Sequence, residues 1–336
     1  MKPPRIAFAC LAGAALLLAL ALAGAEARGA AVTDIADQAG QKILPALRAS
    51  DLLVEAGQEA AVEASLGTGL RKEGLEGKRI QFFLGERMLG EARTDGGGTA
   101  TLRWKTPEKA ADYHIRAALN PADQADDKVA DADILVAARP KDTTLVVVDL
   151  DKTVVQSGFF SVLVGIAKPM PGAAVVLGRL AKDNTVVYLT HRPDFLAVTS
   201  KRWLTENGFP PGPVLTSTMT TLLTGSGPYK MARLAAVKKT FPNILVGIGD
   251  KISDSKVYAE NGIRPILLLQ PDWSEHDPEK FEKLADELAA LPDSVQVVGE
   301  WREIAAICFE KATFAKRDME KRLRDAAKEL RRKGKD

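Results

Sequence analysis

Residues 145–155 read LVVVDLDKTVV. The apolar run 145–148 suits a strand buried on both faces, and it ends on Asp149 and Asp151. Alternate residues of an extended chain point the same way, so both carboxylates face one site if the extension continues past Leu150. Open α/β sheets gather their ligands at the carboxyl ends of parallel strands. Neighbouring carboxylates repel, and a divalent cation that prefers oxygen ligands, such as Mg²⁺, relieves the repulsion. The stretch points to metal-assisted phosphoryl transfer. A solvated loop after a strand is the plain alternative, because short motifs recur by chance.

The segment around this stretch alternates short apolar runs with helical patterns. Apolar runs at 185–189, 214–215, 244–248, 265–269 and 295–298 read as further strands. Between them, residues 173–181, 194–207 and a stretch opened by Lys230 read as helices. Such alternation predicts βαβ units and a parallel sheet. Four signals fall at the ends of these strands or at a helix start: Asp149 with Asp151, Thr190, Lys230, and Asp250 with Asp254 in GDKISD. A phosphoryl-transfer site needs a nucleophile, a proton donor, a hydroxyl for the phosphate oxygens, a cation and metal carboxylates. Each is present. Asp254 also suits a helix cap, and Lys230 a solvated charge, although a cation near a helix start is mildly unfavourable. Thr153 suits local turn hydrogen bonding, and His191 an ordinary loop position.

The four motifs LVVVDLDKT, VVYLT, the lone Lys230 and GDKISD resemble, in order, those of haloacid-dehalogenase-type phosphatases over residues 143–298. The stretches YLTHRPDFLAVTSKRWLTENGFPPGPV and PYKMARLAAVKKTFPNILVGIGDKISDSKVYAENGI resemble lipin-type and actin-patch-type phosphatidate phosphatase domains. Lys152 and His191 depart from the residues usual there, which bears on the substrate more than on the chemistry. The resemblance implies a Rossmann-like parallel sheet with helices on both faces. It implies Asp149 as nucleophile, Asp151 as acid and base, Thr190 on the phosphoryl oxygens and Lys230 offsetting negative charge. Mg²⁺ would be held by Asp149, the Asp151 carbonyl and Asp250, with Asp254 a further carboxylate. Thr153, His191 and Arg192 are the expected substrate contacts. The segments between motifs are too short for a large inserted cap, so the expected site is open to bulky or membrane-embedded phosphates, with Phe159, Phe160 and Leu163 as candidate acyl contacts. Hydrolysis of small soluble phosphates and a catalytically silent lipid- or phosphate-binding module are the alternatives.

Residues 51–139 change period. Val62, Ala64 and Leu66 alternate with polar neighbours, as do Ile80 and Phe82, Ala100 and Leu102, and Tyr113, Ile115 and Ala117, with Gly- and Asp-rich turns between. This predicts a β-sandwich. The phrase GKRIQFFLGERMLGEARTDGGGTATLRW resembles bacterial immunoglobulin-like modules, which implies a spacer or docking role whose protein partner is unknown.

Lys2 and Arg5, the apolar run 6–23 and the small residues 24–27 read as a signal peptide. The expectation is an exported protein; an uncleaved membrane anchor is the alternative. Cys308 is then the only cysteine left, which excludes an internal disulfide. A net charge of +2 gives no broad basic field for nucleic acid. At the end of the chain an apolar stripe from Trp301 to Leu330 predicts one long helix. Its first half is expected on the domain and its basic end in solvent, where anionic membrane is a candidate contact. The expected organisation is a signal peptide at 1–27, a linker at 28–50, an immunoglobulin-like sandwich at 51–140, a phosphatase domain at 141–300 and a basic amphipathic helix at 301–336.

Overall fold

A computed structural model describes residues 46–68, 73–124, 129–158, 161–162, 166–218, 221 and 224–333. The signal-peptide segment, most of the linker, and Phe159, Phe160 and Leu163 lie outside the described residues.

Nine strands precede the LVVVDLD stretch: β1 (Ala46–Arg48), β2 (Leu52–Glu55), β3 (Glu59–Thr68), β4 (Glu73–Gly74), β5 (Arg79–Leu84), β6 (Arg87–Arg93), β7 (Thr99–Lys105), β8 (Ala111–Leu119) and β9 (Ala132–Arg139). One sheet runs β1-β3-β4 with β7 also paired to β3, and the other runs β2-β9-β8-β5-β6. Period-two alternation sends Val62, Ala64 and Leu66 of the first sheet, and Ile80, Phe82, Ile115 and Ile134 of the second, into one core. Ala46–Arg48 was expected in a linker. It forms β1 instead, antiparallel to β3, with Leu47 buried in that core.

The second unit is a six-stranded parallel sheet in the order β12-β11-β10-β13-β14-β15. Its strands are β10 (Leu145–Val148), β11 (Thr185–Pro193), β12 (Val214–Ser217), β13 (Ile244–Gly249), β14 (Pro265–Leu268) and β15 (Gln296–Val298). Its helices are α1 (Ala173–Leu180), α2 (Ala197–Glu206), α3 (Ser226–Thr240), α4 (Ile252–Glu260), α5 (Pro278–Ala289), α6 (Trp301–Phe309) and α7 (Lys316–Lys333). Both faces of the sheet are covered, and alternation decides which side chain goes where. Val146 and Val148 pack with Val176 of α1, Trp203 of α2 and Ile304 of α6. Leu145 and Val147 pack with Leu234 of α3 and Tyr258 of α4. That is why β10 reads as an unbroken apolar run.

The stripe 301–330 is two helices, not one. Lys311 adopts a φ of 59°, and the chain then runs along β15, where Val297 donates its amide to the Phe314 carbonyl at 3.0 Å. The second half is packed on the domain as well: Met319, Leu323 and Ala327 of α7 are buried with Phe281 and Leu288 of α5, while the basic residues Arg331, Arg332 and Lys333 are exposed. No helix among the described residues is long and apolar enough to cross a membrane.

The β-rich unit abuts the β12 edge of the parallel sheet. Asp51 is buried and accepts the amides of Leu135 and Val214, each at 2.9 Å, and the Lys201 ammonium at 3.0 Å. Ser50 and Thr216 share a hydroxyl hydrogen bond of 2.7 Å.

Candidate active site

Asp149 still belongs to the sheet, since its amide donates to the Ile248 carbonyl at 2.9 Å. The chain then turns. The Leu150 carbonyl accepts the amides of Thr153, Val154 and Val155, and Lys152 takes a φ of 56°. The extension expected through Asp151 therefore stops, and the two carboxylates meet different partners.

Asp149 lies in a buried charged cluster. Lys230 Nζ donates to Asp149 Oδ1 and to Asp254 Oδ1, both at 2.8 Å. Lys230 is 1% exposed and Asp254 fully buried. α3 begins at Ser226, so Lys230 sits in its second turn rather than opening the helix. Burial opposes the charge of Lys230, but Asp149 and then Asp254 outweigh it and hold the ammonium protonated above its usual range. Asp254 occupies the first turn of α4, where no side chain caps the helix, so the capping alternative is set aside. Asp250 follows β13 directly. Burial first, and Asp149 next, push its carboxyl up to about 7.

Two glycines make room for this cluster. A Cβ on Gly249 would lie 2.7 Å from Asp254 Oδ2, and one on Gly247 would lie 2.4 Å from the Tyr258 ring. Gly249 opens the GDKISD motif and Gly247 stands two residues before it, and both are needed because α4 folds back over β13.

Asp151 pairs with Arg192 of β11. Arg192 NH2 donates to Oδ1 at 2.7 Å and Nε to Oδ2 at 3.1 Å, while NH1 donates to Ser200 of α2 at 2.8 Å. Arg192, expected as a substrate contact, has a buried guanidinium whose three nitrogens each donate to a partner within the fold. Thr190 is buried, and its hydroxyl accepts the Arg192 amide at 3.2 Å. His191 is half-buried, donates Nε2–H to the Thr221 carbonyl at 3.3 Å and lies 5.6 Å from the Tyr229 ring. Burial lowers its pKa. Thr153 is fully buried, with an unpartnered hydroxyl and a carbonyl that accepts Trp301 Nε1 at 2.8 Å.

Asp149, Asp250 and Asp254 each offer an oxygen, all within 4.8 Å of one another. Asp250 Oδ1 and Asp254 Oδ2 are buried without a partner, a costly state for carboxylates. Lys230 is the ammonium hydrogen-bonded to the cluster, and the three carboxylates outnumber it and the nearby Lys251 together. An all-oxygen, net-negative donor set fits Mg²⁺ better than a softer metal. The Asp151 side chain is not part of that set.

The carboxyl edge of the parallel sheet thus carries three neighbouring carboxylates and a buried lysine. The family model described as PITM 1-3, LNS2 domain matches residues 146–267, about a third of the chain, and that span contains every candidate site residue. No curated protein matches the chain. Among solved structures, the core domain of a protein described as a phosphoglycolate phosphatase from Streptococcus pneumoniae is 20% identical, with 51% of this chain and 97% of that chain covered and a TM-score of 0.31. A protein described as membrane anchored from Corynebacterium diphtheriae is 14% identical, with 30% of this chain and 22% of that chain covered and a TM-score of 0.23. A glycosyl hydrolase family 2 member from Bacteroides cellulosilyticus is 11% identical, with 75% of this chain and 36% of that chain covered and a TM-score of 0.28. The chain thus spans well under half the length of the last two.

Proposed function

We propose that the protein is a Mg²⁺-dependent phosphomonoester hydrolase working through an aspartyl-phosphate, with phosphatidate-like lipid as its substrate. The observation that carries this reading is the Asp149–Lys230–Asp254 cluster beside Asp250 at the sheet's carboxyl edge. Asp149 would attack phosphorus as the bond to the leaving oxygen breaks. Lys230 fixes the Asp149 carboxylate and balances charge on it. Mg²⁺ held by Asp149, Asp250 and Asp254 would supply charge stabilisation for the phosphoryl oxygens. Asp151 would give its proton to the leaving oxygen, then take one from the water that cleaves the acyl phosphate. To do so it must turn out of the Arg192 fork, because a guanidinium favours the ionised carboxylate. The N-terminal segment fits export, and the β-rich unit fits an immunoglobulin-like docking module.

Arg192 also favours a second reading. An Asp151 held at both oxygens suits a module that binds a phosphate without hydrolysing it. Phosphate release from phosphatidate micelles, p-nitrophenyl phosphate and nucleotides, with and without EDTA, separates the two. Mg²⁺-dependent release that is lost in Asp149→Asn supports hydrolysis. Binding of phosphatidate with no release from any substrate favours the silent module.

A further inference from the structure

α3 presents two faces to different surroundings. Lys230 and Leu234 are buried toward the sheet. Tyr229, Arg233 and Ala236 line a cleft of about 580 Å³, whose other walls include Ser50 and Ser65 of the β-rich unit and Thr216 at the end of β12. Residues four apart on a helix stack on one face, so Tyr229 and Arg233 are neighbours. Tyr229 is 7% exposed, and its buried hydroxyl has no partner. Arg233 Nε is likewise buried and unpartnered. Native proteins rarely leave such groups unpaired. An Nε–H can only donate, so what is missing beside Arg233 is an acceptor.

Charge narrows the acceptor further. Two carboxylates line the cleft, but Asp194 faces Arg48, and Glu63 accepts the Thr101 hydroxyl at 3.4 Å. Arg233 has no ion pair among the described residues. A guanidinium flanked by hydroxyls is suited to a planar or tetrahedral oxyanion. The cleft also adjoins the candidate active site: Tyr229 precedes Lys230, and its ring lies beside His191, which follows Thr190.

We propose that the cleft between α3 and the β-rich unit is a second oxyanion site, with Arg233 and Tyr229 as its donors, taking a phosphate-type group that accompanies the phosphate to be hydrolysed. That group comes either from the substrate's own leaving portion or from a neighbouring lipid headgroup. The coupling to hydrolysis rests on the phosphatase reading, whereas the site itself does not.

Calorimetric titration of the full chain with inorganic phosphate, in Mg²⁺, tests the site directly. The expected result is two equivalents bound by the wild type and one by Arg233→Met, with Arg233→Lys and Tyr229→Phe weakening the second equivalent without removing it. The same stoichiometry and affinity in wild type and Arg233→Met, with matching thermal melts, overturns the proposal. Kinetics then distinguish the sources. Arg233→Met should leave kcat/KM for p-nitrophenyl phosphate within about twofold. A tenfold rise in KM confined to a soluble bisphosphate identifies the leaving group. A tenfold loss confined to phosphatidate in phosphatidylglycerol vesicles, absent when phosphatidate is diluted in a phosphate-free detergent, identifies the neighbouring headgroup. If the wild type hydrolyses none of these, the phosphatase reading fails while the titration still decides the cleft.

Discussion

At Asp250 a proton and a metal ion compete for the same oxygens. Its carboxyl sits at about 7 in the fold against about 4 in an unfolded chain. Between those values the folded protein holds more protons than the unfolded one, so metal-free stability falls as pH rises through that window. Mg²⁺ needs the ionised carboxylate. Its affinity should therefore climb about tenfold per pH unit below about 7 and level off above; Mg²⁺ titrations across that range check this, and a flat profile removes Asp250 from the ligand set. Lys230→Met strands Asp149 and Asp254 without their shared cation. It should abolish phosphate release and cost about 3–5 kcal/mol of metal-free stability, part of which Mg²⁺ restores, as urea melts with and without the ion would show. Gly249→Ala pushes a methyl group into the Asp254 carboxylate. It should weaken Mg²⁺ about ten- to hundredfold, the range seen when a ligand's support is disturbed.

Elements with a clean period were legible in the sequence. β10 and β11 alternate between two apolar cores, and β3, β5 and β8 alternate between core and solvent, which is the signal that period two carries. Other features were hidden for physical reasons. β1 is three residues long, too short to show a period. The first turn of α3 reads Ser-Gly-Pro-Tyr, which punctuates a sequence like a loop although Pro is tolerated in a first turn. The Asp151–Arg192 fork joins residues 41 positions apart, and only the register of β10 on β11 brings them together. The apolar stripe after Trp301 continues at helical spacing across a break that the edge of β15 imposes, and spacing alone does not report a tertiary hydrogen bond. α7 belongs to the core through Leu323, which is fully buried against α5. Leu323→Ala should cost about 2–5 kcal/mol, measured by denaturant melts. An exposed tail would lose almost nothing.

Taken whole, the described residues form two units joined at a sheet edge, and an open strand edge is a liability unless something covers it. Here β2 and its flanking loop cover β12, and Asp51 does so with chemistry rather than area. It answers the Val214 amide of one unit and the Leu135 amide of the other, and Lys201 compensates its charge. Leu53 adds an apolar contact to the α3 side of the parallel sheet. Asp51→Ala removes all three polar contacts and leaves two amides unpaired at the junction, while Lys201 keeps its contacts with Asp133. It should destabilise the protein by about 3 kcal/mol or more. Each unit keeps its own apolar core, so the loss should appear as uncoupling. One calorimetric transition in the wild type should divide into two in the variant. The separation also bears on ligand binding, because the β-rich unit forms one wall of the cleft beside Arg233. In Asp51→Ala the second phosphate equivalent should weaken along with the junction, while Mg²⁺ binding at Asp149, Asp250 and Asp254 stays intact, since all three carboxylates and Lys230 belong to the parallel-sheet unit. A variant that melts in one transition at the wild-type temperature would show that the two units are held by something other than this carboxylate.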